Sequence, residues 1–407
     1  MAVFSQPMYS VFLTKPHYKV LEKWFRQYGD MFGYYNGDVP FVALKDLDFV
    51  EHVCVRNFQN FVDRGIIMAM DSKHPILGRS IMHESAPRWK SVRNSVAYGF
   101  STTKLKLMLP SIKEKVDTFL KLLDEHADSG EEVNVLSKYE ELSMECVTRS
   151  LFGLDEHFLG KPDHPLILVA KAAFRGNSKT RPLTVQEVVV NAATLFVAGF
   201  ETMASALSYV TFALAKHPKI QEKVRKEAAD AISASGSLDY EVVTRRLKYL
   251  SQVIDEALRR YPPAPTSITR QAKEDFVYNG TKFKAGTCFM IPQYHLHMEP
   301  RFWPNPEEFN PGRFSPENSS AQKKCAHVPF GIGPRNCVGR RMALLQLKYA
   351  VARLVLKYRF ELGASQEVSS PIQVLVRSRI ASALITLIAL HWERMDKFCC
   401  PCLEALI

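Results

Sequence analysis

The 407 residues contain no uninterrupted apolar run of about 18 or more, so the sequence by itself predicts no helix crossing a bilayer. The opening MAVFSQPMYSVFLTK has neither the basic region nor the apolar core of a secretory signal. No five or six basic residues stand together, although the formal net charge is +11. A dispersed excess of this kind suits an acidic protein or lipid headgroups rather than DNA reading, and no nucleic-acid partner is expected. The eight cysteines (54, 146, 288, 325, 337, 399, 400 and 402) show no paired spacing, which argues against a disulfide framework and for a reducing compartment. There is no repeat period.

Common chemical motifs are missing too. Gly331 and Gly333 would need a third glycine at 336 to form a dinucleotide loop, and that residue is Asn336. No GK[ST] phosphate loop and no HExxH zinc site occur. Ser101 in GFSTT lacks the second glycine of a nucleophile elbow, Thr103 standing there. CCPC at 399–402 has no second CxxC or HxxxH to complete a zinc site. Ile380–Trp392 is apolar but too short to span; it reads as a buried element or as sequence foreign to the fold.

What is present is globular. Apolar residues make up 46 %, with 25 phenylalanines to fill an interior. Short apolar alternation over 36–60, after Asn36-Gly37, predicts a small sheet, and a second β-rich patch fits 274–292, with a YNGTKF hairpin between Val277 and Cys288. Helical periodicity covers 104–126, 137–152, 185–216, 219–234, 240–261 and 338–357. The fold class is mainly α with small β-sheets.

The helix over 185–216 organises the rest. Thr184 and Glu187 form a capping box, and Pro218 stops the helix after His217. Thirty-two residues span about 48 Å, enough to cross a domain. Its middle, FVAGFETMAS, is apolar on nearly every face and predicts burial. Gly199, Glu201 and Thr202 sit within it. A buried carboxylate costs several kcal/mol unless partnered, and an interior glycine costs about 1 kcal/mol, so the pair marks a site.

PFGIGPRNCVGRR (329–341) places Cys337 on a glycine-rich turn just ahead of a helix. Helix N-terminal N–H groups, with Arg335 nearby, favour a thiolate. Such a thiolate is a nucleophile or a metal ligand. A nucleophile needs a base, and the nearest histidine in sequence is His327. Glycines on both sides let a flat group such as haem approach the sulfur.

FGIGPRNCVG (330–339) resembles the haem-binding signature of the cytochrome P450 superfamily, FxxGxRxCxG, with Phe330, Gly333, Arg335, Cys337 and Gly339 in place. AGFET (198–202) resembles its oxygen-activation motif, EALR (256–259) its ExxR motif, and FNPGRF (309–314) the downstream segment whose arginine completes a Glu–Arg–Arg cluster. The four motifs keep the family's order across about 140 residues, the resemblance covers about residues 20–380, and the wording is most similar to the microsomal family 3 and thromboxane-synthase group. The resemblance implies haem (iron protoporphyrin IX) with Cys337 as axial thiolate and metal ligand. It implies Thr202 hydrogen-bonding the activated oxygen, Glu201 delivering protons through water, Gly199 leaving room for oxygen in the helix groove, and Ala198 among the haem-binding residues. It places Trp89 and Arg93 (a WxxxR helix), Arg64, Arg270 and Arg335 at the haem propionates. Glu256, Arg259 and Arg313 become a buried structural cluster; His295 and His297 are read as structural. Val197, Ala198, Ile268 and the loop Ile66–Ile81 become candidate substrate contacts, with Arg377–Ile380 also lining the cavity.

The implied activity is monooxygenation of a lipophilic small molecule with electrons from NADPH through a reductase, helped by a small haem protein. The implied location is the cytoplasmic face of the endoplasmic reticulum membrane (microsomes), and a membrane surface is an expected partner. Arg88, Lys90, Arg93, Arg335, Arg340, Arg341 and Lys348 are expected to form an acidic donor's docking face. Alternatives are a shortened haem-binding form without productive turnover and a peroxide-rearranging isomerase. The sequence departs from the family in three places: no N-terminal anchor, about 30 residues before the central helix where the family has several dozen, and an ending after Ser382 that is unlike the family. The expectation is one cytochrome P450 domain over 1–407, lacking most of the paired roof helices, with an atypical segment at 383–407.

Overall fold

The computed structural model describes residues 3–7, 17–36, 39–65, 73, 77–129, 135–152, 184–266 and 268–362. All of them belong to the compact unit Met1–Ala364. The stretch at 153–183, where a shortening is expected, and the ending from 383 onward lie outside the described residues.

The β elements come first. Strands β1 (Val3–Pro7), β2 (Met31–Asn36) and β3 (Val39–Leu44) join β4 (Ile268–Gln271) and β7 (Cys288–Ile291) in one sheet of order β1-β2-β3-β7-β4. β3 runs parallel to β7, with Phe41 opposite Cys288, and β4 pairs antiparallel with β7. The sheet therefore joins the chain's N-terminal part to residues some 250 later. The expected alternation over 36–60 ends at Leu44. Asp46 caps the next turn, its Oδ1 accepting from Phe49 N at 2.7 Å, and helical backbone follows. A π-helix, His52–Arg56, completes that stretch. The YNGTKF hairpin forms as β5 (Phe276–Tyr278) and β6 (Thr281–Phe283). Asn279 and Gly280 both take positive φ, 46° and 77°, as a two-residue hairpin turn demands.

The helices are α1 (His17–Tyr28), α2 (Leu47–Glu51), α3 (Arg88–Tyr98), α4 (Thr102–Ser129), α5 (Val135–Phe152), α6 (Val185–Lys216), α7 (Pro218–Ser235), α8 (Lys248–Arg260), α9 (Gln293–His297) and α10 (Arg340–Lys357). The predicted helix 240–261 splits at Leu247 into a π-helix, Val242–Arg246, and α8. Glu227 of α7 explains the break. Its carboxylate accepts from Tyr249 N and Leu250 N at 2.7 and 2.9 Å, capping α8 from a neighbouring helix.

α6 begins and ends where the sequence places it, with the full capping box at Thr184 and Glu187. By length and composition it could cross a membrane. Here its C-terminal half is core: Met203, Ala204, Leu207, Val210 and Leu214 pack with α8 and α10 in the main apolar cluster. Burial on every face, as the sequence suggested, is not observed. Ala198 and Thr202 are exposed, and Gly199, Phe200 and Glu201 are half-buried. Ala198 and Thr202 are four residues apart, hence on one face, and among the described residues nothing buries them.

The capping carboxylate of α6 titrates usefully. Arg88 grips Glu187 with two bonds of 2.8 Å, and the Thr184 N–H and hydroxyl donate to it. Burial opposes these contacts, yet the carboxyl falls from 4.5 to about 2. A depressed carboxyl contributes stability above its unfolded value, lost as pH falls toward 2. Glu187→Gln is therefore expected to lower the melting temperature at pH 7 and to flatten its decline between pH 4.5 and 2. Parallel wild-type and variant curves would contradict this.

Candidate functional site

Cys337 lies three residues ahead of α10, on a turn that two glycines make possible. Gly331 and Gly333 have φ of 73° and 70°, a region side chains rarely occupy. Cys337 N donates to Phe330 O at 2.7 Å and Asn336 N to Gly333 O at 3.0 Å, closing the turn. A Cβ on Gly333 would sit 1.9 Å from the carbonyl oxygen of Cys54, in the π-helix. The space beside Gly333 is thus filled by backbone rather than cleared for a flat ligand. Gly339 caps α10, and its N–H donates to the Cys337 sulfur.

The Cys337 residue is exposed, but protein mass surrounds its sulfur. Burial pushes the thiol up, against the Gly339 N–H and the charges of Arg93, Arg340 and Arg64. The Gly339 N–H is the contact of the helix N-terminus with the sulfur. Arg335 is engaged elsewhere. It is buried, and its guanidinium donates to Val62 O (2.8 Å), Ile81 O (3.1 Å) and Glu84 O (2.6 Å). It stacks over the buried Trp89 ring at 4.2 Å. Such a sulfur ionises when it coordinates a metal cation, which removes the proton outright.

Arg93 donates to Asn336 O at 2.5 Å and to Asn336 Oδ1 at 2.7 Å. Arg64 donates to Arg335 O at 3.1 Å, and Arg270 to Ile332 O at 3.1 Å. Side chains from α3, β4 and the segment after Phe61 therefore converge on residues 332–336. Burial depresses all four guanidinium groups, with mutual repulsion adding for Arg64 and Arg335: Arg64 to about 9, Arg335 to about 8, Arg93 and Arg270 in the same direction. Asp63 stands 3.9 Å from Arg335, and Arg270 Nε is buried with no hydrogen-bond partner among the described residues. Packed cations that repel one another call for a multiply charged anion. A dianionic, metal-bearing group presented to Cys337 fits: haem, with two propionates.

Phe330 is half-buried beneath the Arg340 guanidinium, 5.6 Å from its ring centre. His327 does not serve Cys337 as a base: Nε2 donates to Asp255 O at 3.2 Å, and burial drives its pKa to about 3. His295 and His297 are structural, as expected. His297 donates from Nδ1 to Arg259 O (3.1 Å) and accepts at Nε2 from Val328 N (2.9 Å), so it is neutral and fully engaged.

On α6, Thr202 Oγ1 donates to Ala198 O at 2.5 Å. Burial raises the Glu201 carboxyl, and Glu140 of α5 raises it further. Gly199 has a different neighbour from the one implied: a Cβ there would meet Val147 Cγ2 of α5 at 2.9 Å, so this glycine serves helix contact. The Val197 side chain, residues 66–72 and 74–76, and Arg377–Ile380 lie outside the described residues.

Of the basic residues expected on a docking face, Lys90, Arg340 and Arg341 are exposed. Arg335 is buried, Arg93 holds Asn336, Arg88 pairs with Glu187, and Lys348 is half-buried. The expected seven-residue patch is thus reduced to three.

Glu256, Arg259 and Arg313 come together as predicted. Arg259 binds Glu256 through Nε and Nη2 at 2.7 and 3.0 Å, and Arg313 Nε is 3.4 Å from Glu256 Oε1. Sequence reasoning missed Asn336, Cys54 and Asn191. Asn336 carried a weak signal, standing beside the cysteine in the loop; the others had none.

The profile of the family described as Cytochrome P450 matches residues 3–171 and 163–382. Cytochrome P450 3A15 of Cavia porcellus is 28 % identical, over 82 % of this chain and 80 % of its own. Cytochrome P450 6B1 of Papilio polyxenes is 28 % identical, over 86 % and 85 %. Thromboxane-A synthase of Sus scrofa is 27 % identical, over 88 % and 84 %. The mainly helical fold, the cysteine turn with its arginine cradle and these matches agree: the chain belongs to the cytochrome P450 family and is a haem-binding monooxygenase.

Proposed function

We propose that this chain inserts one oxygen atom from O2 into a lipophilic small molecule, with electrons from NADPH delivered by a flavoprotein reductase. The convergence of Arg64, Arg93 and Arg270 on the Cys337 turn carries this reading. Cys337 would hold the haem iron. Arg64, Arg93, Arg270, Arg335 and Trp89 would hold or back the propionates. When bound, haem supplies dioxygen binding and O–O cleavage, favoured by the thiolate.

The chain's own part is to orient and to move protons. Thr202 Oγ1 gives its hydrogen to Ala198 O, which leaves its lone pairs facing outward as acceptors. Glu201, with its carboxyl raised, keeps a proton closer to neutrality than an ordinary glutamate and is the donor. Lys90, Arg340 and Arg341, all exposed, offer the acidic reductase, or a small haem protein, cationic contacts. The cytoplasmic face of the endoplasmic reticulum membrane is the proposed location. Profile matching in two segments supports an internal shortening near 153–183, where the family's roof helices belong.

The reduced carbon monoxide difference spectrum, followed by NADPH consumption with reductase, tests the reading. A thiolate-type band with reductase-dependent product supports it; the band's absence sinks it. A band without product identifies a shortened, non-productive form. Peroxide rearrangement without external electrons is a second reading, favoured by the likeness to thromboxane-A synthase. Turnover of an organic peroxide with no reductase present would decide for it. Thr202→Ala is expected to cut product about tenfold or more while peroxide release per NADPH rises. Unchanged coupling would remove Thr202 from the proton path.

A further inference from the structure

One residue links the start of the central helix to the cysteine turn through its backbone: Ile81. Asn191, in the second turn of α6, is fully buried. Its Oδ1 accepts from Ile81 N at 2.6 Å; its Nδ2 donates to Glu187 O at 2.7 Å and to Arg79 O at 3.4 Å. These partners fix the amide's orientation, because an N–H only donates and a carbonyl only accepts. On its other side, the Ile81 carbonyl accepts from Arg335 Nη1 at 3.1 Å. Arg335 stands two residues from Cys337 and binds Glu84 O and Val62 O as well. The Arg88–Glu187 pair fastens the first turn of α6 to α3, which bears Trp89 and Arg93.

Asparagine is a weak helix former in a helix interior, and a fully buried position ordinarily takes an apolar side chain. The amide is there for its three bonds. We propose that Asn191 is a positioning residue that sets the central helix, carrying Glu201 and Thr202, against the Cys337 turn through the Ile81 backbone and Arg335. Asn191 and Glu201 lie on one continuous helix, about 15 Å apart along its axis, so register fixed at Asn191 is carried to Glu201. The backbone linkage stands by itself; its consequence for oxygen chemistry rests on the proposed function.

Hydrogen exchange on the full purified chain tests the linkage whether or not haem is retained. Asn191→Ala is expected to speed exchange about tenfold in the peptide covering Ile81 and in that covering 332–337, with α7 and α8 unchanged. Wild-type protection at 332–337, with or without faster exchange at Ile81, overturns the proposal. So does a uniform rise across the chain, which would mark general loosening.

Asn191→Asp gives an independent reading. Its neutral carboxyl keeps an acceptor for Ile81 N and a donor for Glu187 O, whereas its anion faces two carbonyls with acceptors. Glu187, Arg88, Glu84, Arg79, His83 and Arg335, on the neighbouring segments, are the same in variant and wild type. The ratio of exchange rates at 332–337, variant over wild type at equal pH, is therefore expected to fall toward one as pH drops from 8 to 6. A ratio above one that does not change with pH overturns the role of the amide donor.

Discussion

Cys337→Ser is expected to erase the thiolate-type band of the reduced carbon monoxide complex and to reduce monooxygenation below detection, while the fold persists. The turn does not depend on the sulfur for its shape. Phe330 O receives the Cys337 backbone N–H, Gly333 O receives Asn336 N, and Arg93 holds Asn336 by two bonds; all survive the substitution. Serine keeps the size of the side chain and accepts from Gly339 N. The melting temperature of the haem-free chain should change little, since substitutions away from packed or strained features stay within about 0.5 kcal/mol. What is lost is a soft anionic ligand, which a hydroxyl with a far higher pKa does not replace. Among the described cysteines, Cys337 is exposed whereas Cys54, Cys146, Cys288 and Cys325 are buried. A retained thiolate band in the variant would therefore contradict both the ligand assignment and the packing.

The motifs were legible because they are local. A glycine–proline turn ahead of an apolar helical stripe fixes Cys337 by spacing alone, and Thr184 with Glu187 marks the start of α6 by chemistry within four residues. The long-range bonds were not legible. Nothing in the sequence says that Gly333 abuts Cys54, because the contact joins residues some 280 apart through a π-helix with no sequence signature. Nor does the sequence say that the Arg335 guanidinium meets three carbonyls and an indole. The apolar character of α6 predicted a buried helix and gave no hint that Ala198 and Thr202 are exposed among the described residues, because composition does not say which positions a neighbour covers.

Arg259→Leu is expected to remove about 3–5 kcal/mol of stability, the usual result of stripping one partner from a buried ion pair. Both side chains of the Glu256–Arg259 pair are inaccessible to solvent. Leucine would leave the Glu256 carboxylate with the Asn310 N–H at 2.8 Å and with Arg313, 3.4 Å away and less well aligned. It would also orphan the carbonyls of His297 and Pro306, which accept from Arg259 at 2.7 and 2.8 Å. The damage should reach the cysteine turn, because His297 accepts from Val328 N, just before Phe330 and the glycines. A loss of that size is a large fraction of the 5–15 kcal/mol that holds a typical domain together. Haem content per chain and melting temperature should therefore fall together. Arg259→Lys should be only partly protective, since an ammonium cannot reproduce the two-pronged bond to Glu256 or lie flat over Trp303, 5.5 Å away. Arg313→Ala should cost less than Arg259→Leu, because Arg313 reaches the solvent edge and its contact with Glu256 is longer. Haem content and melting temperature unchanged in Arg259→Leu would mean that the cluster does not support the cysteine turn; an Arg313→Ala loss as large as that of Arg259→Leu would mean that the strength of the cluster lies in the longer contact.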